Sequence, residues 1–194
     1  TFLGDEGRDA MVAKEILEGN FTLLGPRASA GDFFLGPIYY YLIAPFLFLA
    51  GMDPVGPAIM VAFFGIATVF LVYFVGKEFF GNKAGLMAAA IYSFSPIVVA
   101  YSRSSWNPNL MPFISLLIVY LVYLAVKNNS LKLFLAIGFL LGISMQLHYL
   151  TVFLGIIIFL FVLIGSTFIS RKSLVIGLFK KYFMIFAGFI VGWS

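Results

Sequence analysis

Carboxylates are concentrated at the start of a chain that is otherwise apolar. Six of the eight acidic residues lie in residues 1–32, namely Asp5, Glu6, Asp9, Glu15, Glu18 and Asp32. The adjacent pair Asp5 and Glu6 has the chemistry of a general base or of a metal ligand, because a carboxylate accepts protons and coordinates hard cations. The pair also suits the first turn of a helix, where negative charge and capping side chains are favoured. Both interpretations stay open from the sequence.

A second polar group lies in residues 101–109, Tyr-Ser-Arg-Ser-Ser-Trp-Asn-Pro-Asn. Arg103 is the only charged residue in residues 84–126. Its guanidinium matches the oxygens of a phosphate, although an arginine at a membrane interface also snorkels towards the headgroups. Asn107 and Asn109 add hydrogen-bonding groups beside it. The segment is therefore a candidate phosphate-binding turn.

His148 and Tyr149 interrupt the long charge-free run 133–170. A lone histidine between two apolar segments often has a structural role, yet an ionisable residue at membrane depth is a functional candidate. His148 is the single histidine, which excludes a histidine-rich metal site in this chain. A mixed site of carboxylates and this histidine stays open.

The composition predicts a polytopic, all-α membrane protein. Hydrophobic residues make up 62% of the chain and charged residues 10%, whereas a soluble domain carries roughly 25% charged residues. The absence of cysteine excludes disulfides and thiolate sites. The basic residues lie singly or in pairs, which is not the pattern of a nucleic-acid-binding protein. The chain starts without methionine and stops inside an apolar run, so we expect a fragment truncated at both ends.

The charge-free runs define the membrane spans, since a span needs about 20 predominantly apolar residues. The run 133–170 as one helix would be roughly 57 Å long, against roughly 30 Å for a bilayer core, so we predict a turn at 146–148. The predicted spans are 55–76, 84–101, 110–126, 132–147, 150–169 and 182–194. They form a transmembrane helical bundle over residues 54–194, preceded by an external loop with juxtamembrane amphipathic helices over residues 1–53.

Basic residues alternate between the predicted turns. The turns 77–83, 127–132 and 171–181 are rich in lysine and arginine, whereas 102–109 and 146–149 are poor in them. Because positive charge favours the cytoplasmic side, we predict that the first three turns face the cytoplasm. The other two then lie outside, together with any site built from them.

The run 33–52 is long enough to cross the membrane, but Pro37 and Pro45 interrupt it. If it crosses, residues 1–32 are cytoplasmic. If it lies in the interface or re-enters, they are external, and we favour this second arrangement. Residues 7–18 predict a short amphipathic helix on the membrane surface. Its predicted apolar face consists of Met11, Val12, Ile16 and Leu17.

Five segments together resemble the N-terminal half of the dolichyl-phosphate-mannose–protein mannosyltransferase family. They are Gly4-Asp-Glu-Gly-Arg-Asp9, Gly36-Pro-Ile-Tyr-Tyr-Tyr-Leu42, Gly76-Lys-Glu-Phe-Phe-Gly-Asn-Lys-Ala-Gly85, Ser102-Arg-Ser-Ser-Trp-Asn-Pro-Asn109 and Gln146-Leu-His-Tyr149. Their order and spacing carry the likeness over essentially the whole chain. The bacterial relatives include the lipid A aminoarabinose transferases, and the resemblance implies the fold of a C-type membrane glycosyltransferase.

The resemblance also implies a chemistry. The donor is a sugar on a polyprenyl phosphate, and the acceptor is a hydroxyl of a protein or of a lipid or glycan. Asp5 is implied as the catalytic base, with Glu6 beside it, in an inverting transfer at the external face of the plasma (inner) membrane. We expect the substrate- and phosphate-binding residues to be Arg8, Arg103, Asn107, Asn109, His148 and Tyr149.

Three features depart from these relatives. Asn107 and Asn109 stand where many relatives carry an acidic residue. Phe34-Leu-Gly-Pro37 replaces Glu-Lys-Pro-Pro, which removes a metal-binding glutamate. His148 replaces a lysine. No cofactor is therefore assigned, and a divalent metal stays open.

Two other functions compete with an enzyme. A transporter or flippase for lipid-linked saccharides predicts paired charges inside the spans, which the charge-free runs lack. A non-catalytic scaffold predicts no gathering of Asp5, Arg103 and His148 on one side of the membrane. The predicted sidedness therefore favours the glycosyltransferase.

Overall fold

The computed structural model describes residues 4–28, 31–169 and 174–194, and within these ranges the fold is all-α, which confirms the predicted class. The helices are α1 (Gly4–Leu17), α2 (Ile38–Leu49), α3 (Val55–Phe80), α4 (Asn82–Phe94), α5 (Pro96–Tyr101), a 3₁₀ helix (Asn107–Leu110), α6 (Met111–Asn128), α7 (Leu131–Leu147), α8 (Thr151–Ile169) and α9 (Leu174–Trp193). The chain divides into two compact units, Thr1–Leu116 and Leu117–Ser194.

Three stretches of the described residues are long and apolar enough to cross a membrane, namely Val55–Phe80, Asn107–Asn128 and Ile176–Trp193. Apolar side chains such as Phe63, Phe70 and Ile66 are more than half exposed on the first of them. Such exposure is unfavourable in water and natural in lipid. The chain is therefore an integral membrane protein.

Helix α1 packs against α2 with a stripe that contains two carboxylates. The buried residues of α1 are Glu6, Asp9, Ala13 and Ile16, which follow the three- and four-residue spacing of one helix face. The predicted apolar face is wrong in part, because Met11 is 68% and Leu17 37% exposed. The buried face instead includes the small side chain of Ala13, and the helix begins three residues earlier than the predicted position 7.

Helix α2 is a short apolar helix within the run 33–52. Pro37 directly precedes it, and Pro45 lies inside it. Its 12 residues span about 18 Å at 1.5 Å per residue, less than the roughly 30 Å of a bilayer core. The length is consistent with a segment that does not cross, and the external location of residues 1–53 stays a prediction.

Helices α3 and α4 form a tight hairpin around a single residue, Gly81, whose φ of +89° favours glycine. Close approach of the two helices requires glycine at two further positions, since a Cβ on Gly76 would lie 2.9 Å from the Cα of Gly85. The predicted turn 77–83 is therefore too long, because only Gly81 lies between the two helices. Its lysines lie on the two helix ends, where their long side chains reach the polar side of the membrane.

The predicted span 84–101 is broken into α4 and α5. Pro96 starts α5, and Ser95 before it is extended, with ψ of 119°. A proline lacks the amide hydrogen for an i→i−4 bond, and its ring clashes with the preceding turn. Pro96 therefore causes the break, and the predicted span 84–101 does not take this proline into account.

In the second unit, α7 and α9 pack backbone against backbone through glycines spaced four residues apart. They are Gly138 and Gly142 on α7, and Gly188 and Gly192 on α9. A Cβ on Gly142 would lie 2.5 Å from the carbonyl oxygen of Phe189, and one on Gly138 would collide with the carbonyl oxygen of Ile185. The two helices therefore run parallel, and small residues permit the close packing that membrane helices use.

The predicted turn 171–181 is wrong in its second half, because α9 starts at Leu174 and contains both Lys180 and Lys181. Residues 171–173 lie outside the described residues. Lys181 is buried, donates a hydrogen bond of 2.9 Å to Ser166 Oγ, and lies 5.6 Å from the ring centre of Phe134. These contacts satisfy an ammonium group within a helix, so the span begins before its predicted start at 182.

Candidate functional site

The N-terminus of α1 is tied to the turn at 102–106 by one long-range hydrogen bond. Ser104 Oγ donates to Glu6 Oε1 at 2.6 Å, across 98 residues of sequence. Both groups are at least partly buried, and the acceptor is a carboxylate, so the bond is of the stronger, charge-assisted kind. Asp5 and Arg103, the neighbours of these two residues, are thereby held on adjoining segments.

A second contact joins α2 to the same turn. The hydroxyls of Tyr39 and Ser105 lie 3.1 Å apart in a buried hydrogen bond. Tyr39 is fully buried, and Ser105 is 3% exposed. The turn is therefore held by α1 through one serine and by α2 through the next.

Arg8 links two carboxylates on α1. Its Nη1 donates to Asp5 Oδ1 at 2.9 Å, while Nε and Nη2 donate to Asp9 Oδ1 at 2.9 and 2.7 Å. The side chain of Asp5 is 56% exposed, whereas that of Asp9 is completely buried. Arg8 thus connects one carboxylate that solvent reaches with one that it does not.

Asp9 is a completely buried carboxylate of this cluster. Its Oδ2 is buried and has no hydrogen-bond partner among the described residues. Burial raises the pKa of Asp9 to about 6, and Asp5 and Glu6 act in the same direction, while Arg8 opposes the shift. A buried carboxylate without full compensation is unfavourable for stability and is typical of functional sites.

The turn at 102–109 presents Arg103 to solvent. The Arg103 side chain is exposed, and it makes no hydrogen bond or ion pair within the part of the chain that the structure describes. The amide nitrogen of Asn109 instead donates to the carbonyl oxygens of Tyr101 and Ser104 at 2.9 and 2.8 Å, and Asn107 is buried. Asn109 therefore shapes the turn, while Arg103 is available to a ligand.

A mostly apolar cavity of about 270 Å³ borders the same turn. Helices α3, α4 and α5 and the start of α6 contribute to it. Its walls include Ile97, Val98, Tyr101, Pro108 and Pro112. The phosphate-binding candidate Arg103 thus lies in a turn that also borders space for an apolar group.

His148 and Tyr149 belong to the second unit, in the turn between α7 and α8. The two rings stack with centres 4.9 Å apart. His148 Nδ1 accepts a hydrogen bond of 3.2 Å from the amide of Leu150, and burial lowers the pKa of His148. Burial thus favours the neutral ring, and an accepting Nδ1 favours the tautomer with its proton on Nε2. The predicted role of His148 in substrate binding stays a prediction.

Asp32, another acidic candidate, forms an ion pair with Arg27 in which both side chains are exposed. Such surface pairs contribute little to stability. Among the described residues no group of three or more His, Cys, Asp or Glu side chains is arranged to hold a metal ion.

Sequence reasoning missed Asp9, Ser104, Ser105 and Tyr39 as parts of this site. Asp9 had a usable signal, because it falls in the spacing 6, 9, 13 and 16 with Ala13 and Ile16, which is the spacing of a buried face. The two serines and Tyr39 had none, since only the folded chain brings them to their partners.

Comparison with known proteins gives consistent results. The profile of the family described as dolichyl-phosphate-mannose-protein mannosyltransferase matches residues 35–193, which is most of the chain and leaves out α1. “Putative mannosyltransferase YkcB” of Bacillus subtilis (strain 168) is 27% identical over 140 residues, covering 72% of this chain and 20% of that protein. “Putative mannosyltransferase YycA” of the same organism is 28% identical over 159 residues, covering 81% of this chain and 23% of that protein.

The chain spans about a fifth of the length of these two curated relatives. No solved structure matches it significantly.

Proposed function

Because the chain belongs to the dolichyl-phosphate-mannose-protein mannosyltransferase family, we propose that it carries the base and the phosphate-binding turn of a membrane glycosyltransferase. The donor is a sugar linked to a polyprenyl phosphate, and the acceptor is a hydroxyl of a protein or of a lipid or glycan. The site faces the external side of the plasma (inner) membrane. The side assignment rests on the distribution of lysine and arginine among the turns.

The hydrogen bond between Ser104 and Glu6 is the observation that carries this proposal. It joins the segment with an exposed carboxylate, Asp5, to the turn with an exposed guanidinium, Arg103. A transfer from a phosphate carrier needs both groups at one place, a base for the acceptor and a cation for the leaving group.

The reaction is a single displacement at the anomeric carbon. The acceptor oxygen forms a bond to that carbon, and the bond from the carbon to the phosphate oxygen breaks with inversion. Asp5 takes the hydroxyl proton, and the electron pair of the broken bond leaves on the polyprenyl phosphate. Arg103 stabilises the charge that develops on this phosphate, because a guanidinium matches its oxygens.

The division of roles between the two arginines follows from their partners. Three donor groups of Arg8 already bond to Asp5 and Asp9. The Arg103 side chain is exposed and makes no hydrogen bond within the described chain. We therefore assign the leaving phosphate to Arg103 and the orientation of the base to Arg8. Glu6 anchors the helix to the turn through Ser104.

The cavity beside the turn suits the first part of the carrier lipid. Its walls are mostly apolar, and an apolar chain entering it leaves water at a gain of roughly 25 cal/mol per Å² of buried surface. A phosphate bound at Arg103 would then have its lipid chain directed into the membrane helices.

Substitution of Asp5 tests the assignment of the base. We expect Asp5→Asn in the full-length protein to abolish release of polyprenyl phosphate from polyprenyl-phosphate mannose, while membrane insertion is unchanged. Glu15→Gln is the matched control, since Glu15 is an exposed acid on the same helix. Full activity of Asp5→Asn would refute Asp5 as the base, and inactivity of the unaltered protein with such donors would refute the donor class.

Thiol labelling tests the side of the membrane. The chain has no cysteine, so Asp5→Cys introduces a single reactive group into it. A membrane-impermeant maleimide is expected to label this position from outside in intact cells. Labelling only after the cytoplasmic side is exposed would overturn the external location.

A further inference from the structure

The guanidinium of Arg8 bonds to two carboxylates, one exposed and one buried. Asp5 is more than half exposed, and Asp9 has no exposed surface. Oδ1 of Asp9 accepts hydrogen bonds from both Nε and Nη2 of Arg8. The edge of the guanidinium that carries these two nitrogens is therefore held by a buried carboxylate. The remaining nitrogen, Nη1, then points to Asp5.

Asp9 is not placed to touch a substrate, because a group without accessible surface is reached only after the helix moves. Its second oxygen, Oδ2, is buried without a partner among the described residues. An apolar side chain at this position of the stripe would remove that unfavourable burial. The carboxylate therefore contributes something other than packing.

We propose that Asp9 is a positioning residue, which fixes the guanidinium of Arg8 and, through it, the orientation of the Asp5 carboxylate. This inference rests on the proposed function, in which Asp5 is the base. Held by Asp9, Arg8 shares its charge between two anions. Without the Asp9 anion, Arg8 would keep its contact with Tyr40 but lose the charge-assisted bonds that fix Nε and Nη2, so the Nη1 that bonds to Asp5 would no longer be held in one place.

The charged and titratable groups around Asp9 come from two helices. On α1 they are Arg8, Asp5 and Glu6, and on α2 they are Tyr39 and Tyr40. Burial raises the pKa of both tyrosines, that of Tyr40 to about 12, so both phenols stay neutral at physiological pH. Arg8 and the two tyrosines therefore keep their charge states in the acid range in which Asp9 changes its own.

The test is Asp9→Asn in the full-length protein, assayed with polyprenyl-phosphate mannose over pH 5 to 8. We expect kcat to fall between about tenfold and a hundredfold, as misplacement of a catalytic group does, with little change in the KM for the donor. The acid limb of the pH profile that comes from protonation of Asp9 is expected to disappear. Glu15→Gln is the control and keeps the kcat and pH profile of the unaltered protein.

A second variant tests the same contacts by changing Arg8 instead of Asp9. Arg8→Lys keeps the positive charge but lacks the fork that reaches both carboxylates, and it leaves the buried Asp9 in place. If Asp9 acts through Arg8, the double variant is no slower than the slower of the two single variants. Losses that multiply in the double variant would refute the proposal, and so would an unaltered kcat and pH profile in Asp9→Asn. If Asp9→Asn does not fold, an unaltered kcat and pH profile in Arg8→Lys refutes it.

The two proposals fail in different ways. Activity of Asp5→Asn would refute the proposed function itself. An inactive Asp5→Asn together with an unaltered Asp9→Asn would leave that function in place and refute only the role of Asp9.

Discussion

Ser104 donates a hydrogen bond of 2.6 Å to the carboxylate of Glu6, a residue 98 positions earlier in the chain. Glu6 is 9% exposed, so water does not readily replace the serine. This contact connects the acidic helix α1 to the turn that carries Arg103. The arrangement of the candidate site therefore depends on a side chain that performs no chemistry itself.

Removal of this contact is expected to weaken both the fold and the site. Ser104→Ala removes a charge-assisted hydrogen bond to a buried carboxylate, at a loss of about 1–3 kcal/mol in the free energy of unfolding. The midpoint of thermal unfolding in detergent micelles should fall, and sugar transfer should fall with it. Ser93→Ala is the control, because among the described residues the Ser93 hydroxyl bonds only to a carbonyl of its own helix. Equal midpoints for the two variants would contradict the prediction.

Arg103 is expected to affect donor binding and not stability. The exposed side chain makes no hydrogen bond within the described chain, so Arg103→Gln should unfold at the temperature of the unaltered protein. Loss of a charged hydrogen bond to phosphate, about 1.5–3 kcal/mol, corresponds to a rise in donor KM of roughly tenfold to a hundredfold. Initial rates at varied donor concentration measure it.

The control for Arg103 is Arg27→Gln. Arg27 is another exposed arginine of the first unit, and it is paired with Asp32 on the surface. It should keep the donor KM. A similar rise in both variants would indicate a general effect of charge and not a phosphate site.

The glycines between α7 and α9 are expected to be sensitive to the smallest substitution. In Gly142→Ala the added methyl would lie 2.5 Å from the Phe189 carbonyl oxygen and 2.6 Å from the Gly192 carbonyl carbon. Both are backbone atoms, so the helices must separate, at about 1–3 kcal/mol in the free energy of unfolding. Thermal unfolding in micelles measures the loss.

Gly155→Ala provides the comparison for this helix pair. Nothing lies within 4 Å of a Cβ at Gly155 in α8, and alanine favours a helix by up to about 1 kcal/mol over glycine. This variant should be as stable as the unaltered protein or more so. Destabilisation of the same size at both glycines would show that the close approach of α7 and α9 is not the cause.

Asp9 is expected to make stability depend on pH in an unusual direction. Its pKa is raised from 3.8 to about 6 in the folded protein, so the folded state binds more protons than the unfolded state between those values. The contribution of Asp9 to stability is therefore largest below about pH 4, falls as the pH rises to 6, and is flat above. A shift of this size corresponds to about 3 kcal/mol at most.

The measurement is the unfolding midpoint of Asp9→Asn against that of the unaltered protein at several pH values. The variant should be relatively more stable at pH 7 than at pH 4.5, because it lacks the buried charge. Its activity is expected to be lower than that of the unaltered protein, although its relative stability at pH 7 is higher. Opposite changes in activity and stability distinguish a positioning role from a packing role. A variant destabilised equally at every pH would contradict the raised pKa.

Much of the fold could be predicted because local pattern controls it. A single described helix overlies five of the six predicted spans and two helices cover the other, and the family inferred from five short segments is confirmed by a match over residues 35–193. The errors lie at boundaries. Pro96 breaks a span for a reason visible in the sequence. The charge of Lys181 predicts a loop residue, whereas the partners that accommodate it within a helix, Ser166 and Phe134, lie on other helices.

The sequence by itself determined the class of protein and the residues available for chemistry. Long apolar runs in a chain with 10% charged residues allow only membrane helices, and the carboxylates and Arg103 stand out as the few charges left between them. The tertiary structure decided how these residues are used. Helix α1 buries the face that carries Asp9, Ala13 and Ile16 and leaves Asp5 exposed, because tertiary packing selects one helix face over another. The bond from Ser104 to Glu6 likewise exists only in the folded chain, since nothing local relates residues 98 positions apart.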